Sequence, residues 1–115
     1  MATRTKVLPG IEEAQQLMGL TLKQIAQAVN ADESTLHRWR SGVMMPSPVF
    51  LARLEALDEL AREMRSAFRN EEYARQWLLR EIPSLKGRRP IDLILEGRAE
   101  TLTGMLYALN SGMPL

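Results

Sequence analysis

Glycine and proline cut this chain into helix-length pieces, and little between them favours a strand. The breakers stand at Pro9-Gly10, Gly19, Gly42, Pro46, Pro48, Pro83, Gly87, Pro90, Gly97, Gly104, Gly112 and Pro114. Between them apolar residues recur every three or four positions, the period of a helix with one buried face. β-Branched and aromatic residues are sparse, and no alternating run exceeds a few positions. The pattern predicts an all-α fold.

Cap chemistry divides the helices. Ile11, Ala14 and Leu17 predict a first helix from Gly10 to Met18, stopped by Gly19. Thr21 and Gln24 stand three apart, the spacing of a capping box, and open a helix that runs to Asn30. Asp32 is placed to cap a third helix, Glu33 to Arg40, ending at Ser41-Gly42. Ser47-Pro48 restarts a long helix to about Arg69. Its apolar row, Phe50, Leu54, Leu57, Ala61, Met64 and Phe68, has coiled-coil-like steps and is a candidate dimer seam; Leu51 and Leu60 widen it enough for an ordinary core helix. Asn70-Glu71-Glu72 begins a helix carrying Tyr73, Trp77 and Leu78. Pro83 to Arg89 reads as a loop, Pro90 to Leu95 as a short helix ended by Gly97, and Leu102, Met105, Leu106 and Leu109 as the last helix.

Composition removes several function classes. With 115 residues the chain makes one compact domain, or two very small ones sharing a core. It has no cysteine, which excludes disulfides, thiolate zinc sites and cysteine nucleophiles. The lone histidine, His37, rules out a multi-histidine metal site within one chain. No metal or other cofactor is expected. No apolar run is long enough to span a bilayer, and Met1 to Lys6 leads into no apolar signal core, so a cytoplasmic protein with no membrane partner is expected. Carboxylates such as Glu55, Asp58, Glu59 and Glu63 alternate with Arg62 and Arg65 as solvated helix-face pairs. Without a Gly-rich phosphate loop, a nucleophilic triad or a ligand cluster, no catalytic residue is nominated and no enzyme is expected. Net charge is +1, from 15 Lys+Arg against 14 Asp+Glu, and no segment forms a basic arm. Nucleic acid would have to be met by a local patch or by an oligomer.

Residues 22 to 41 supply such a patch. In a helix-turn-helix the first helix offers an apolar and a small residue to the second, here Ile25 and Ala26. Val29 closes the first helix, Ala31 packs under the turn, and Leu36 and Trp39 face the core. Asn30 stands where the turn needs a left-handed residue. Subtracting the core leaves Glu33, Ser34, His37, Arg38 and Ser41 on the outward face of the second helix, a composition suited to a major groove. Arg38 suits a guanine edge or a phosphate, His37 and Ser34 base edges or backbone. Thr21, Lys23 and the amides at the start of the preceding helix suit phosphates. Arg40 projects to another side. Two short helices with a tight turn also occur in all-α proteins that never meet DNA, and Glu33 weighs against a strongly basic face.

Leu20-Thr21-Leu22 through Leu36-His37-Arg38-Trp39-Arg40-Ser41-Gly42, followed by Pro46, resembles the Xre-type helix-turn-helix of bacterial regulators and antitoxins. The second half sharpens the likeness. Trp77-Leu78, the Ser84-Leu85-Lys86-Gly87 loop, the Pro90-Ile91-Asp92-Leu93-Ile94 helix start, Gly97 and the closing stretch from Leu102 to Gly112 resemble the toxin-binding domain of the MbcA/ParS/Xre antitoxin family. That family carries a tryptophan, an Asn- or Ser-Leu-x-Gly loop, a Pro-x-Asp-Leu-Leu helix start and a Leu-rich closing helix ending near glycine. Ile94 departs from the commoner leucine, and the tail extends only three residues past Gly112.

The resemblance covers nearly the whole chain. It implies a helix-turn-helix over 1–46, a long connecting helix over 47–69 and a small helical toxin-binding domain over 70–115. It implies the antitoxin of a type II toxin–antitoxin system, which neutralises a RES-domain, NAD-consuming toxin by direct binding and represses its own operon. The partners implied are that toxin and operator DNA, with a homodimer or a larger toxin–antitoxin hetero-oligomer presenting two reading helices. Carried over by position, Lys86, Gly87, Arg88, Arg89, Asp92, Arg98, Gly112, Met113, Pro114 and Leu115 are the toxin-facing candidates. Read without the resemblance, Lys86 to Arg89 is a basic connector turn, and Asp92 is explained by its place in the first turn of a helix. Met113 and Leu115 have little local core to join and suit a partner's groove. Two other readings stay open: a stand-alone DNA-binding regulator, and an adaptor whose helix-turn-helix no longer binds DNA.

Overall fold

The computed structural model describes residues 8–112, and among them the chain forms seven α-helices and no strand. They are α1 (Ile11–Gln16), α2 (Leu22–Val29), α3 (Glu33–Ser41), α4 (Pro48–Ala67), α5 (Glu71–Leu78), α6 (Pro90–Leu95) and α7 (Ala99–Asn110), with a 3₁₀ turn at Pro83–Leu85.

Local chemistry sets most boundaries. The capping box of α2 is complete: the Gln24 amide donates to Thr21 Oγ1 at 3.1 Å, and the Thr21 amide donates to Gln24 Oε1 at 2.9 Å. Asn30 takes the left-handed conformation, φ 62°, and the Ala31 amide turns back to the Ala26 carbonyl at 2.9 Å. Asn70 caps α5 by accepting from the Tyr73 amide at 3.0 Å. Asp32 and Ser47 occupy N-cap positions without a side-chain cap bond, unlike the role expected of them. The first helix is shorter than its apolar spacing predicts. Left-handed glycines bracket it, Gly10 at φ 86° and Gly19 at φ 73°, and beyond Gly19 the Leu20 amide reaches back to the Ala14 carbonyl.

Helix α4 is the spine. Leu54, Leu57, Leu60, Ala61 and Met64 are each 2% exposed or less. Helix α7 packs along most of the spine, and α1 lies against it as well. The row that also had the spacing of a dimer seam is therefore filled by the chain's own helices. Aromatic pairs hold the two ends of α4: Trp39 on Phe50, ring centroids 5.4 Å apart, and Trp77 on Phe68, 5.3 Å apart. Helix α2 also touches α6, and one continuous apolar core runs through all seven helices.

Side chains fasten this arrangement where helices end. Arg53 on α4 donates to the Val29 carbonyl at the end of α2, at 3.1 Å, with its guanidinium 5.2 Å above the Phe50 ring. Arg75 on α5 donates to the Gln16 carbonyl at the end of α1. A cation at a helix C-terminus meets both free carbonyls and the negative end of the dipole. Asn110 closes α7 onto α4 by donating to the Glu63 carbonyl at 3.1 Å and to Glu63 Oε1 at 2.8 Å. No described helix is long and apolar enough to cross a membrane.

Candidate functional site

Two surfaces carry the candidate residues. The first is the open face of α3. Leu36 and Trp39, 0% and 4% exposed, anchor the helix, with Ile25, Ala26 and Val29 of α2 buried beneath it. Anchoring that side turns Glu33, Ser34, His37, Arg38 and Ser41 outward, and all five are exposed. His37 Nε2 stands 3.9 Å from Glu33 Oε2 one turn back. The Ser41 hydroxyl donates to the Arg38 carbonyl at 3.1 Å. The Arg38 guanidinium has no ion-pair partner among the described residues, and its fork of donors lies on the exposed face. Thr21 and Lys23 are exposed at the start of α2, where free amides and the positive end of the dipole suit an anion. Arg40 is exposed too.

The second surface surrounds the loop before α6. The Ile82 amide donates to the Arg88 carbonyl at 3.1 Å, and the Gly87 amide returns to Ile82 at 3.0 Å. This isolated antiparallel bridge pinches the loop so tightly that Lys86 and Gly87 both adopt left-handed backbones, φ 60° and 79°. Lys86 is thereby held at the tip, exposed and without an ion-pair partner among the described residues.

Neighbouring charges are paired. The Arg88 guanidinium grips Glu96 through both carboxylate oxygens, one bond at 3.1 Å, and Arg98 approaches the same carboxylate at 3.7 Å. Asp92, at the third position of α6, accepts from the Arg89 amide at 3.2 Å and from its guanidinium at 3.0 Å. The hydrogen bonds from Arg88 and Arg89 hold the Glu96 and Asp92 carboxyls below their usual range, and the two carboxylates raise their arginines in turn. Lys86, Arg88 and Arg98 converge with Ser84 and Thr101 on an open cleft of about 350 Å³. Of the other candidates, Gly87, Arg89 and Gly112 are exposed, while Met113, Pro114 and Leu115 lie outside the described residues.

The first surface is carried by α3 and the second by the loop leading into α6, and both helices pack against α2. Periodicity assigns nothing to Val43, Met44, Met45 and Val49, yet they are the densest group of exposed large apolar side chains. The available signal is the absence of any charged residue between Arg40 and Arg53. Arg53 carries no local signal either, because its acceptor is a carbonyl 24 residues away.

No protein-family model matches the chain. It is similar to the mycobacterial cidal antitoxin MbcA of Mycobacterium bovis and of two strains of Mycobacterium tuberculosis. The identity is 23% over 103 residues, covering 90% of this chain and 90% of each relative. Its structure matches a chain in the crystal structure of the M. tuberculosis MbcT–MbcA toxin–antitoxin complex. The TM-score is 0.68 at 23% identity, over 92% of this chain and 95% of that one. The structural likeness establishes a shared all-helical fold.

Proposed function

We propose that this chain is the antitoxin of a type II toxin–antitoxin pair, neutralising its toxin by direct binding. The observation that carries the reading is the end-to-end likeness to MbcA, which spans 90% of both chains rather than a helix-turn-helix alone. The toxin in this reading is a RES-type, NAD-consuming enzyme. Residues 70–115 form the module that binds it, residues 1–46 the DNA-reading module, and residues 47–69 the helix between them. Lys86, Gly87, Arg88, Arg89, Asp92, Arg98 and the tail from Gly112 to Leu115 face the toxin. A pinched loop that offers Lys86 beside Arg88 and Arg89 supports that role, because arginines already held by Glu96 and Asp92 lose little side-chain entropy on docking.

The same protein represses its operon by laying α3 in a major groove. Ser34, His37, Arg38 and Ser41 meet the duplex there beside Glu33, with Thr21, Lys23 and the α2 amides on phosphates. A homodimer, or a toxin-bound oligomer, supplies the second reading helix, and the assembly works in the cytoplasm. Co-expression with the product of the adjacent gene tests the antitoxin role. The expected result is a stable co-purifying complex and rescue of cell growth. Growth arrest that this chain fails to relieve, with no complex formed, refutes it in favour of a stand-alone regulator.

A further inference from the structure

We propose that the uncharged segment joining α3 to α4 is the surface through which two copies of this chain pair. It rests on the DNA-reading role proposed above, since one α3 reads only half of a two-fold operator. Val43, Met44, Met45 and Val49 are 74%, 42%, 60% and 57% exposed, an unusual density for seven consecutive positions. They are not a loose loop. The Val43 and Met44 amides both donate to the Arg38 carbonyl, at 3.0 and 3.4 Å, Pro46 is buried, and Pro48 fixes the first turn of α4. The apolar side chains are thus held outward by a pinned backbone.

Three features select a second copy as the occupant. The row on α4 with the spacing of a dimer seam is buried from Leu54 to Met64, so pairing needs another apolar surface. No charge lies between Arg40 and Arg53, so a patch facing its own image across a two-fold axis brings no like charges together. Four side chains of this size supply roughly half of the ~800 Å² per partner that a stable interface covers, and the exposed uncharged neighbours Gly42, Ser47 and Pro48 extend the patch. Methionine is well suited to such a contact because its unbranched thioether adapts to a partner's contour. The patch follows α3 directly, so pairing here sets the two reading helices side by side.

The test is the molar mass of the full chain in solution, without toxin or DNA, from micromolar to hundreds of micromolar. The expected result is two chains for wild type and one chain for Val43→Lys/Met45→Lys with an unchanged helical spectrum. If that variant loses helicity, Val49→Lys replaces it, and wild-type methionine methyl resonances are followed on dilution; concentration-dependent shifts support the interface. A wild type of one-chain mass at every concentration, or a folded variant that stays paired, overturns the proposal. Toxin capture is measured separately. Pairing through this patch in a chain that captures no toxin upholds the inference and refutes the antitoxin reading.

Discussion

Replacing Gly10 and Gly42 by alanine separates close packing from backbone strain. Both glycines are left-handed, at φ 86° and 84°, so each variant carries the same conformational cost, about 1–2 kcal/mol. Their surroundings differ. A Cβ on Gly42 meets nothing within 4 Å, whereas one on Gly10 falls 2.2 Å from the Leu54 carbonyl oxygen and 3.2 Å from Leu57 Cβ. The obstacle is the backbone of α4 and cannot rotate aside, so α1 must lift off the spine. Overpacking of this kind adds about 1–3 kcal/mol. Gly10→Ala then loses about 2–5 kcal/mol in all, against about 1–2 for Gly42→Ala. At ~4 °C per kcal/mol for a domain of this size, melting falls by roughly 8–20 °C in the first case and 4–8 °C in the second. Thermal melts by circular dichroism at one protein concentration read the difference. Equal losses would refute the claim that α1 approaches α4 closely enough to require glycine.

Arg38→Ala should weaken binding to a duplex from the chain's own promoter by about tenfold or more, and lower the salt slope by ~1 if the contact is to phosphate, with toxin capture intact. Unaltered affinity would remove Arg38 from the interface. Lys86→Glu should cut toxin capture about tenfold without moving the melting temperature, and full capture would reject the loop tip as a contact. Asp92 and Glu96 titrate below their ordinary values of 3.8 and 4.5 in the folded chain, while their arginines stay charged. Their ion pairs therefore stabilise the loop at neutral pH, and this contribution fades as pH falls through and below those values. Exchange protection factors across Gly87 to Leu95 should drop from about pH 4.5 downward, and less so in Glu96→Gln; a flat profile would refute the coupling.

What the sequence disclosed was mostly local. Thr21 and Gln24 announce a capping box because both partners lie within one turn. Asn30 marks a left-handed turn because few other residues tolerate one. Ala26, Leu36 and Trp39 declare their burial through helical spacing, and removing them leaves the outward face of α3 by subtraction. The hidden features are those whose partners are remote in the chain. Arg53 reaches 24 residues back to Val29, Arg75 reaches 59 back to Gln16, and Asn110 reaches 47 back to Glu63. None of these acceptor carbonyls has a sequence signature. The Arg88–Glu96 pair was equally obscure, since it forms only once the bridge at Ile82 folds the loop back beside the end of α6. Asp32 and Ser47 show the reverse case: the right residue stands at the right position without making the bond.

Aromatic pairs seat α3 and α5 at opposite ends of α4, and this geometry makes the independence of the two modules measurable. Twenty residues at ~1.5 Å each separate the ends of the helix by about 30 Å. At one end Phe50 packs on Trp39 of α3, and at the other Phe68 packs on Trp77 of α5. Both phenylalanines are half-buried, so each truncation to alanine should cost less than the ~3–5 kcal/mol of a fully buried ring. Over such a distance, with no shared partner, the two losses should add within about 0.5 kcal/mol. Function should divide in the same way. Phe50→Ala loosens the seat of α3 and should lower operator affinity while sparing toxin capture. Phe68→Ala loosens α5 and should do the opposite. Additive stabilities with both activities lost in each variant would mean that one surface serves both partners, and the division between a DNA-reading front and a toxin-facing rear would have to be abandoned.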